Sequence, residues 1–298
     1  MSLRLRLLVR LLRLTQKPLL ARLDPIRARD QFELAARLFL RPPSGTEVRT
    51  LRLGGVPVRQ VLGAGVDRHA APVIYAHGGA FVMGSPASYS GFAARLSVLL
   101  ERPVLLPDYR RAPEHRFPAA LDDLRAVWEA AGTAETMLGG DSAGGNLALA
   151  LLAQLCAGDR PGPAATFAFS PFTDFRDREG SRRANALADP LLPIGRLGEV
   201  RDFYLGDADP LDGRASPVLA RFAGAGPVWM SVGSTEVLRD DTYRMAERLR
   251  EDGVAVDVHE LADAPHVWPI FGPGLPEAAA TLSILADFLR RAAPKGGS

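Results

Sequence analysis

The sequence predicts an α/β protein with a mostly parallel central sheet and helices on both faces. Short apolar runs of strand length alternate with longer stretches of helical periodicity between residues 72 and 292. The runs at 72–76 and 103–107 are apolar throughout, which is typical of strands covered on both faces. The 298 residues, 47% of them hydrophobic, are enough to bury the core of such a protein.

Each element is predicted from its own signal, beginning with a hairpin in residues 46–63. Two strand-like runs in that stretch are separated by Gly54-Gly55, a pair that favours a turn. Beyond it, apolar runs predict strands at 72–76, 103–107, 136–138, 165–169, 227–232 and 254–260. Stretches with helical periodicity predict helices at 87–101, at 118–131, from Ser142 onward, at 240–252 and at 276–292.

Two stretches interrupt this alternation and are predicted to form a helical cap. Residues 1–45 are helical in pattern and end in a proline-rich turn. Residues 172–225 are irregular and rich in charges and prolines, with one helix expected near 193–204. Since no repeat or flexible linker divides the chain, we predict one domain over 1–298, with a cap from about 1–45 and about 172–225.

Composition and charge exclude several functional classes. With 36 basic and 34 acidic residues, the net charge of +2 argues against a nucleic-acid partner. The single cysteine, Cys156, leaves no intrachain disulfide and favours a cytoplasmic location. No apolar run reaches the ~20 residues that a membrane-spanning helix needs, so we expect no stable membrane insertion.

The first 22 residues predict a basic amphipathic helix, because Arg6, Arg10, Arg13 and Lys17 fall on one face. We favour a helix docked on the protein's own body. A helix that lies on a membrane surface and an organelle presequence are the alternatives.

The strongest chemical signal is Gly140-Asp141-Ser142-Ala143-Gly144, between a predicted strand and a predicted helix. The turn is so tight that side chains flanking the serine would clash, which accounts for the two glycines. It presents the Ser142 hydroxyl as a nucleophile at the sheet edge, with the N–H of Ala143 directed to the same place. An ordinary glycine- and serine-rich loop is the alternative, which the strand–helix context disfavours.

A second glycine loop begins at His77, directly after the 72–76 strand. Acyl transfer places negative charge on the former carbonyl oxygen, and rigid N–H donors aimed there lower the barrier. Gly78 and Gly79 let the backbone approach a substrate closely. Together with Ala143, they are predicted to form an oxyanion hole.

A serine nucleophile needs a base, and the chain order serine, acid, histidine places that base late in the sequence. Of the 5 histidines, His266 lies on the loop after the 254–260 strand, whereas its rival His259 lies inside that strand. Loops at the ends of parallel strands carry the functional residues of such sheets, which favours His266.

The acid is expected just past the 227–232 strand. Glu236 lies closest to the end of that strand and is favoured. Asp240 and Asp241 fall in the first turn of the next helix, where carboxylates stabilise the helix dipole.

These segments resemble the bacterial hormone-sensitive-lipase-like esterases of the GDSAG branch, which have the α/β-hydrolase fold. The matching motifs lie at 77–81, 108–120, 140–145, 189–190, 215–217, 236–241 and 266–268. The resemblance implies a triad of serine, aspartate or glutamate, and histidine, and it supports Glu236. It also implies a cap made of the N-terminal helices and a later insertion.

We expect no metal and no cofactor. Phe81, Asp141, Leu191 and Val267 are predicted to line the substrate pocket.

Two residues depart from the family pattern. Ala80 replaces the third glycine of the loop, and Arg111 stands where the family usually has leucine. We expect Ala80 to keep a negative φ and to leave room for esters of hindered, even tertiary, alcohols. The alternative is that Ala80 points into the core without a role in specificity, and Arg111 is expected to alter packing only.

The predicted function is a serine carboxylesterase that acts on small-molecule esters of short- to medium-chain acids through an acyl-enzyme. A lactone or amide hydrolase, or an acyltransferase with the same triad, is an alternative. A non-catalytic ligand-binding relative is disfavoured because Ser142, Glu236 and His266 are all present.

A homodimer is compatible with the sequence. Glycine and histidine motifs for a dinucleotide or a zinc protease are incomplete at 63–68 and 259–263.

Overall fold

The computed structural model describes residues 1–22, 24–39, 41–158, 160–176, 179–272 and 274–292. The strands are β1 (Glu47–Leu53), β2 (Val56–Leu62), β3 (Val73–Ala76), β4 (Val104–Pro107), β5 (Met137–Asp141), β6 (Ala165–Phe169), β7 (Val228–Gly233) and β8 (Val256–Leu261). They form one sheet in the order β1-β2-β4-β3-β5-β6-β7-β8. β2 pairs antiparallel with β1 and β4, and every later pairing is parallel. The predicted fold class is therefore confirmed.

The helices follow the predicted alternation. They are α1 (Leu3–Leu11), α2 (Lys17–Arg22), α3 (Pro25–Phe39), α4 (Pro86–Leu100), α5 (Ala119–Ala131), α6 (Ala143–Cys156), α7 (Ser181–Ala184), α8 (Leu197–Leu205), α9 (Arg239–Glu251) and α10 (Pro276–Ala292). A π-helical turn over Leu12–Gln16 joins α1 to α2, and 3₁₀ turns occur at Ile194–Arg196, Pro217–Leu219 and Trp268–Phe271. The helix expected near 193–204 corresponds to the 3₁₀ turn and α8.

The sheet is covered on both faces because its strands carry apolar side chains on both. In β3, Ile74 and Ala76 point to the layer of α5 and α6, while Val73 and Tyr75 point to the layer of α4 and α10. α6 is apolar around its whole circumference and is buried over nearly its whole length. This explains why its sequence lacks the polar stripe that α5 and α9 retain.

The carboxyl ends of the parallel strands β3, β5, β6, β7 and β8 meet at one edge of the sheet. The loops that follow these strands carry the candidate site residues. Open α/β sheets bind ligands at this edge, so the topology by itself brings distant parts of the sequence together.

The N-terminal helix docks on the body of the protein, as favoured from the sequence. Leu5 is fully buried and packs with Trp268, Leu275 and Ala278. Ser2 binds the carboxylate of Glu277 at the start of α10 through its backbone N–H and its hydroxyl. No helix in the described ranges has the length and the hydropathy of a membrane span.

Candidate active site

The turn that carries Ser142 connects β5 to α6 and has a strained backbone. Ser142 has φ 53° and ψ −117°, a region that side chains other than glycine rarely occupy. A Cβ on Gly140 would lie 2.3 Å from the carbonyl oxygen of Gly144, and one on Gly144 would lie 2.0 Å from that of Ala76. The two glycines are therefore required by contact with the backbone, and the serine hydroxyl stands clear at the sheet edge.

Glu236 and His266 come together from the loops after β7 and β8. The Nδ1 atom of His266 lies 2.6 Å from Oε2 of Glu236, and both side chains are buried. The other oxygen of Glu236 accepts the backbone N–H of Gly233 at 2.6 Å and the hydroxyl of Ser170 at 2.8 Å. Fixed on both oxygens, the carboxylate holds the imidazole in one orientation.

The electrostatics of this pair suit a general base. Burial lowers the pKa of His266, but the charge and hydrogen bond of Glu236, with help from Asp189 and Asp141, outweigh burial and raise that pKa above its ordinary value. The imidazolium formed by proton uptake is therefore stabilised by the carboxylate behind it.

The rival residues lie elsewhere. His259 contacts Thr281 through Nε2 at 3.2 Å and stacks on Trp229. Asp241 is buried in an ion pair with Arg182 at 2.8 Å. Asp240 accepts the backbone N–H of Ser181 at 2.8 Å. Each of these groups has structural partners remote from the imidazole of His266.

Gly78 does not direct its N–H group toward the site, which corrects the predicted oxyanion hole. That N–H donates to Oδ1 of Asp141 at 2.9 Å and lies 3.1 Å from the hydroxyl of Tyr89. The backbone turns the group inward, toward the carboxylate. No acceptor in the described part of the chain takes the N–H groups of Gly79, Ala80 or Ala143.

Asp141 is buried beneath the site and does not line the cavity, whereas the sequence predicted it in the substrate pocket. Its carboxylate is buried and also accepts the hydroxyls of Tyr75 and Tyr89, each at 2.8 Å. Burial raises the pKa of Asp141 to about 6, although the tyrosine hydrogen bonds act in the opposite direction. The carboxylate thus ties the loop after β3 and helix α4 to the strand that ends at the serine turn.

The expected negative φ of Ala80 is wrong. Ala80 and Phe81 have φ 54° and φ 62°, so two consecutive side chains occupy the left-handed region. Such residues cost about 1–2 kcal/mol each relative to the right-handed form. The N–H groups of Val82 and Met83 both bond to the carbonyl of Gly79, which closes the tight turn and holds the pair in place.

A mainly apolar cavity of about 120 Å³ opens over Ser142. Its lining comes from the N-terminal segment, the loop after β3 and the 172–225 stretch, including Leu20, Ala28, Ala80, Phe81, Phe172, Leu192, Leu197 and Phe203. Of the predicted pocket residues, Phe81 lines this cavity. Leu191 and Val267 do not: Leu192 takes the place of Leu191, and Val267 packs in the core beside α10. No cluster of metal-ligating side chains occurs within the described residues.

Comparison with known proteins identifies the fold and the family. The family described as the α/β-hydrolase fold matches residues 73–270, about two thirds of the chain. A solved esterase of the bacterial hormone-sensitive lipase family is 30% identical, superposes with a TM-score of 0.91 and is covered over 99% of its length by 98% of this chain. The chain belongs to this α/β-hydrolase family.

Its relatives among characterised proteins include bacterial enzymes. An acetyl-hydrolase of Streptomyces hygroscopicus is 33% identical over 229 residues, which cover 75% of this chain and 77% of the relative. LipF of Mycobacterium tuberculosis, a carboxylesterase/phospholipase, is 32% identical over 298 residues, or 94% of this chain and 79% of that protein.

Three residues of this α/β-hydrolase site were missed by sequence reasoning. Ser170 follows β6, so the rule that functional loops follow parallel strands could have found it. Its hydroxyl donates to Glu236 and accepts the backbone N–H of Val267 at 3.2 Å. Tyr89 carried no sequence signal, because its contact with Asp141 depends on how α4 packs on the sheet. Tyr75 reaches Asp141 from the neighbouring strand β3, and the strand order that makes β3 and β5 neighbours was not predicted from the sequence.

Proposed function

We propose that the protein is a serine carboxylesterase that hydrolyses short- to medium-chain esters with Ser142, His266 and Glu236. The relatives of the chain include an esterase of the bacterial hormone-sensitive lipase family and a carboxylesterase/phospholipase. The observation that carries the proposal is the buried 2.6 Å contact between His266 and Glu236, on loops that meet beside the strained Ser142 turn. A polarised imidazole and a serine hydroxyl that opens into a cavity are the groups that nucleophilic acyl transfer needs.

The reaction proceeds in two halves. His266 takes the proton of Ser142 as the hydroxyl oxygen attacks the ester carbonyl. The negative oxygen of the tetrahedral intermediate accepts hydrogen bonds from backbone N–H groups. When the carbon–oxygen bond to the alcohol breaks, His266 returns the proton to the departing alkoxide. Water, deprotonated by the same imidazole, then attacks the acyl-serine. The bond between the acyl carbon and the Ser142 oxygen breaks, His266 returns the proton to that oxygen, and the acid is released.

Three backbone groups are proposed as the oxyanion donors: the N–H groups of Gly79, Ala80 and Ala143. They are left without a protein acceptor in the described residues, and Ala80 and Ala143 line the cavity next to Ser142. Donors fixed by the strained turn and by the start of α6 need no reorganisation as charge develops.

The substrate class follows from the cavity. Its lining is apolar apart from Ser142 and Arg196, and Arg196 pairs with Glu199 at 3.1 Å. A small apolar chamber favours uncharged acyl groups of modest length, taken as single dissolved molecules. We propose that residues 1–45 and 172–225 act as a cap, since Leu20 and Ala28 from the first and Leu192 and Leu197 from the second line its wall.

The test uses Ser142→Ala and a series of p-nitrophenyl esters from acetate to laurate, with lactone and amide panels beside them. We expect ester turnover to fall by ~10⁶ in the variant at unchanged thermal stability. Near wild-type turnover by the folded variant would refute the assignment. Faster hydrolysis of the lactones or amides, or a rate that rises only above the solubility limit of the ester, would overturn the substrate class.

A further inference from the structure

The first helix has two apolar faces, and the protein covers only one of them. The inner face, with Leu5 fully buried, packs against Trp268 and α10. The outer leucine face consists of Leu3, Leu7, Leu11 and Leu14, which are 66%, 55%, 57% and 77% exposed. Their spacing of four, four and three residues places them within about a quarter of the helix circumference.

The same segment is strongly basic. Residues 1–22 contain Arg4, Arg6, Arg10, Arg13, Lys17 and Arg22, and the first acidic residue is Asp24. Arg13 and Lys17 donate to backbone carbonyls of Ala186, Ala188 and Asp189, which are neutral acceptors and leave the positive charge in place. The arginines flank the outer leucine face on both sides.

The contacts of Arg13 and Lys17 also bring a further apolar side chain to this surface. They hold the turn around residues 186–189 against the helix, and Leu187 on that turn is 90% exposed. An apolar stripe widened in this way, with cations along its borders, is the pattern of helices that lie in the headgroup region of a bilayer.

The positive charge of residues 1–22 indicates which partner covers the outer leucine face. A second copy of the chain would bring six like charges against six, with no acidic residue in either segment. An anionic lipid surface supplies the opposite charge, and each basic residue close to it adds attraction. We propose that the outer leucine face docks the protein on anionic phospholipid bilayers, with the helix lying in the plane of the interface.

The test is sedimentation of the full chain with vesicles of phosphatidylcholine alone and of phosphatidylcholine with phosphatidylglycerol. We expect binding to the anionic vesicles only, weakening as salt is raised from 0.1 M toward 1 M because screening shortens the range of the attraction. Leu7→Gln/Leu11→Gln should reduce the partition coefficient at least about tenfold, since two exposed leucines no longer enter the acyl region. Arg6→Gln/Arg10→Gln should reduce it several-fold.

Leu211→Gln is the matched control, because Leu211 is 59% exposed on the insertion and outside the proposed surface. It should bind vesicles as the wild type does, and all variants should unfold at the wild-type temperature. Equal binding to neutral vesicles, unchanged binding by the leucine variant, or no binding at all would each overturn the proposal. So would a wild-type dimer in light scattering that becomes monomeric in Leu7→Gln/Leu11→Gln, because a second copy would then cover the face.

Discussion

Two buried carboxylates lie close to the Ser142 turn, and they hold different partners. Glu236 accepts hydrogen bonds from the backbone N–H of Gly233 and the hydroxyl of Ser170, and it contacts the imidazole of His266. Asp141 accepts hydrogen bonds from two tyrosine hydroxyls and from the N–H of Gly78. Its charge also raises the pKa of His266. Under the proposed mechanism, the first orients the base and the second fixes the backbone of the loop after β3.

The role of Glu236 predicts a shift in the pH profile. Because the pKa of His266 is raised above 6.5, activity should rise as pH passes upward through that raised value, where the imidazole becomes neutral. Glu236→Gln removes the charge that raises the pKa and leaves the opposing effect of burial. We expect kcat to fall by ~10⁴ and the acid limb of the residual activity to move to lower pH.

Asp240→Asn is the matched control, because Asp240 bonds Ser181 and not the base. Its pH–rate profile should coincide with that of the wild type. A larger loss of turnover in Asp240→Asn than in Glu236→Gln, at equal stability, would show that the acid has been misassigned.

Asp141→Asn separates positioning from packing. The amide keeps the size of the side chain but loses one acceptor oxygen and the negative charge. We expect kcat/KM to fall by at least about tenfold. The largest fall would correspond to losing the few kcal/mol that one oxyanion donor contributes. The acid limb should also shift to lower pH, by less than in Glu236→Gln.

Tyr89→Phe removes one donor to Asp141 and so raises the pKa of that carboxyl further above its ordinary value. It should lower kcat/KM even at alkaline pH, where the carboxylate stays ionised in both proteins. Identical pH profiles for wild type and Asp141→Asn would mean that Asp141 acts through packing alone.

Among the elements, the loop after β3 combines rigidity with strain. Gly79 has φ 123°, and a Cβ there would lie 2.1 Å from the carbonyl oxygen of Met83. Ala80 and Phe81 follow with positive φ, and both side chains line the cavity. The loop therefore holds the proposed backbone donors and forms one wall of the cavity at the same time.

Because Ala80 faces the chamber, Ala80→Gly should change selectivity. Removing the methyl group enlarges the chamber beside Ser142, so we expect more room for a hindered alcohol and a rise of more than twofold, or ~0.4 kcal/mol, in the kcat/KM ratio of tert-butyl to ethyl acetate. Stability should change little, since relief of the left-handed strain offsets the greater freedom of the unfolded chain. A ratio within twofold would deny Ala80 a discriminating role, and no tertiary-ester turnover by the wild type would refute the roomy site.

Sequence reasoning reached the elements more readily than the directions of single groups. Parallel strands end at one edge, so the apolar runs already located Ser142, Glu236 and His266 in one neighbourhood. The inward N–H of Gly78 was missed because it depends on a carboxylate 63 residues away. Leu191 was expected in the pocket where Leu192 lies, because the irregular insertion has no periodicity from which to assign an inward face.

At the scale of the whole molecule, the N-terminal helix contributes to stability through its inner face alone. Leu5→Ala should lower the free energy of unfolding by about 2–4 kcal/mol, the cost of a cavity beside Trp268. Leu7→Gln, on the outer face, should change it by less than about 0.5 kcal/mol. Urea titrations followed by tryptophan fluorescence measure both, and equal losses would show that the two faces are not distinct.

The docking contacts of this helix also set the timing of events during synthesis. Ser2, Arg4, Arg13 and Lys17 find their partners 169 to 275 residues later in the chain. At about 5–20 residues per second, the helix leaves the ribosome roughly 10–50 s before its docking surface exists. During that interval the leucines of both helix faces are exposed to solvent. The nascent chain is therefore most accessible to chaperones, to aggregation and to the membrane surface before its sheet is complete.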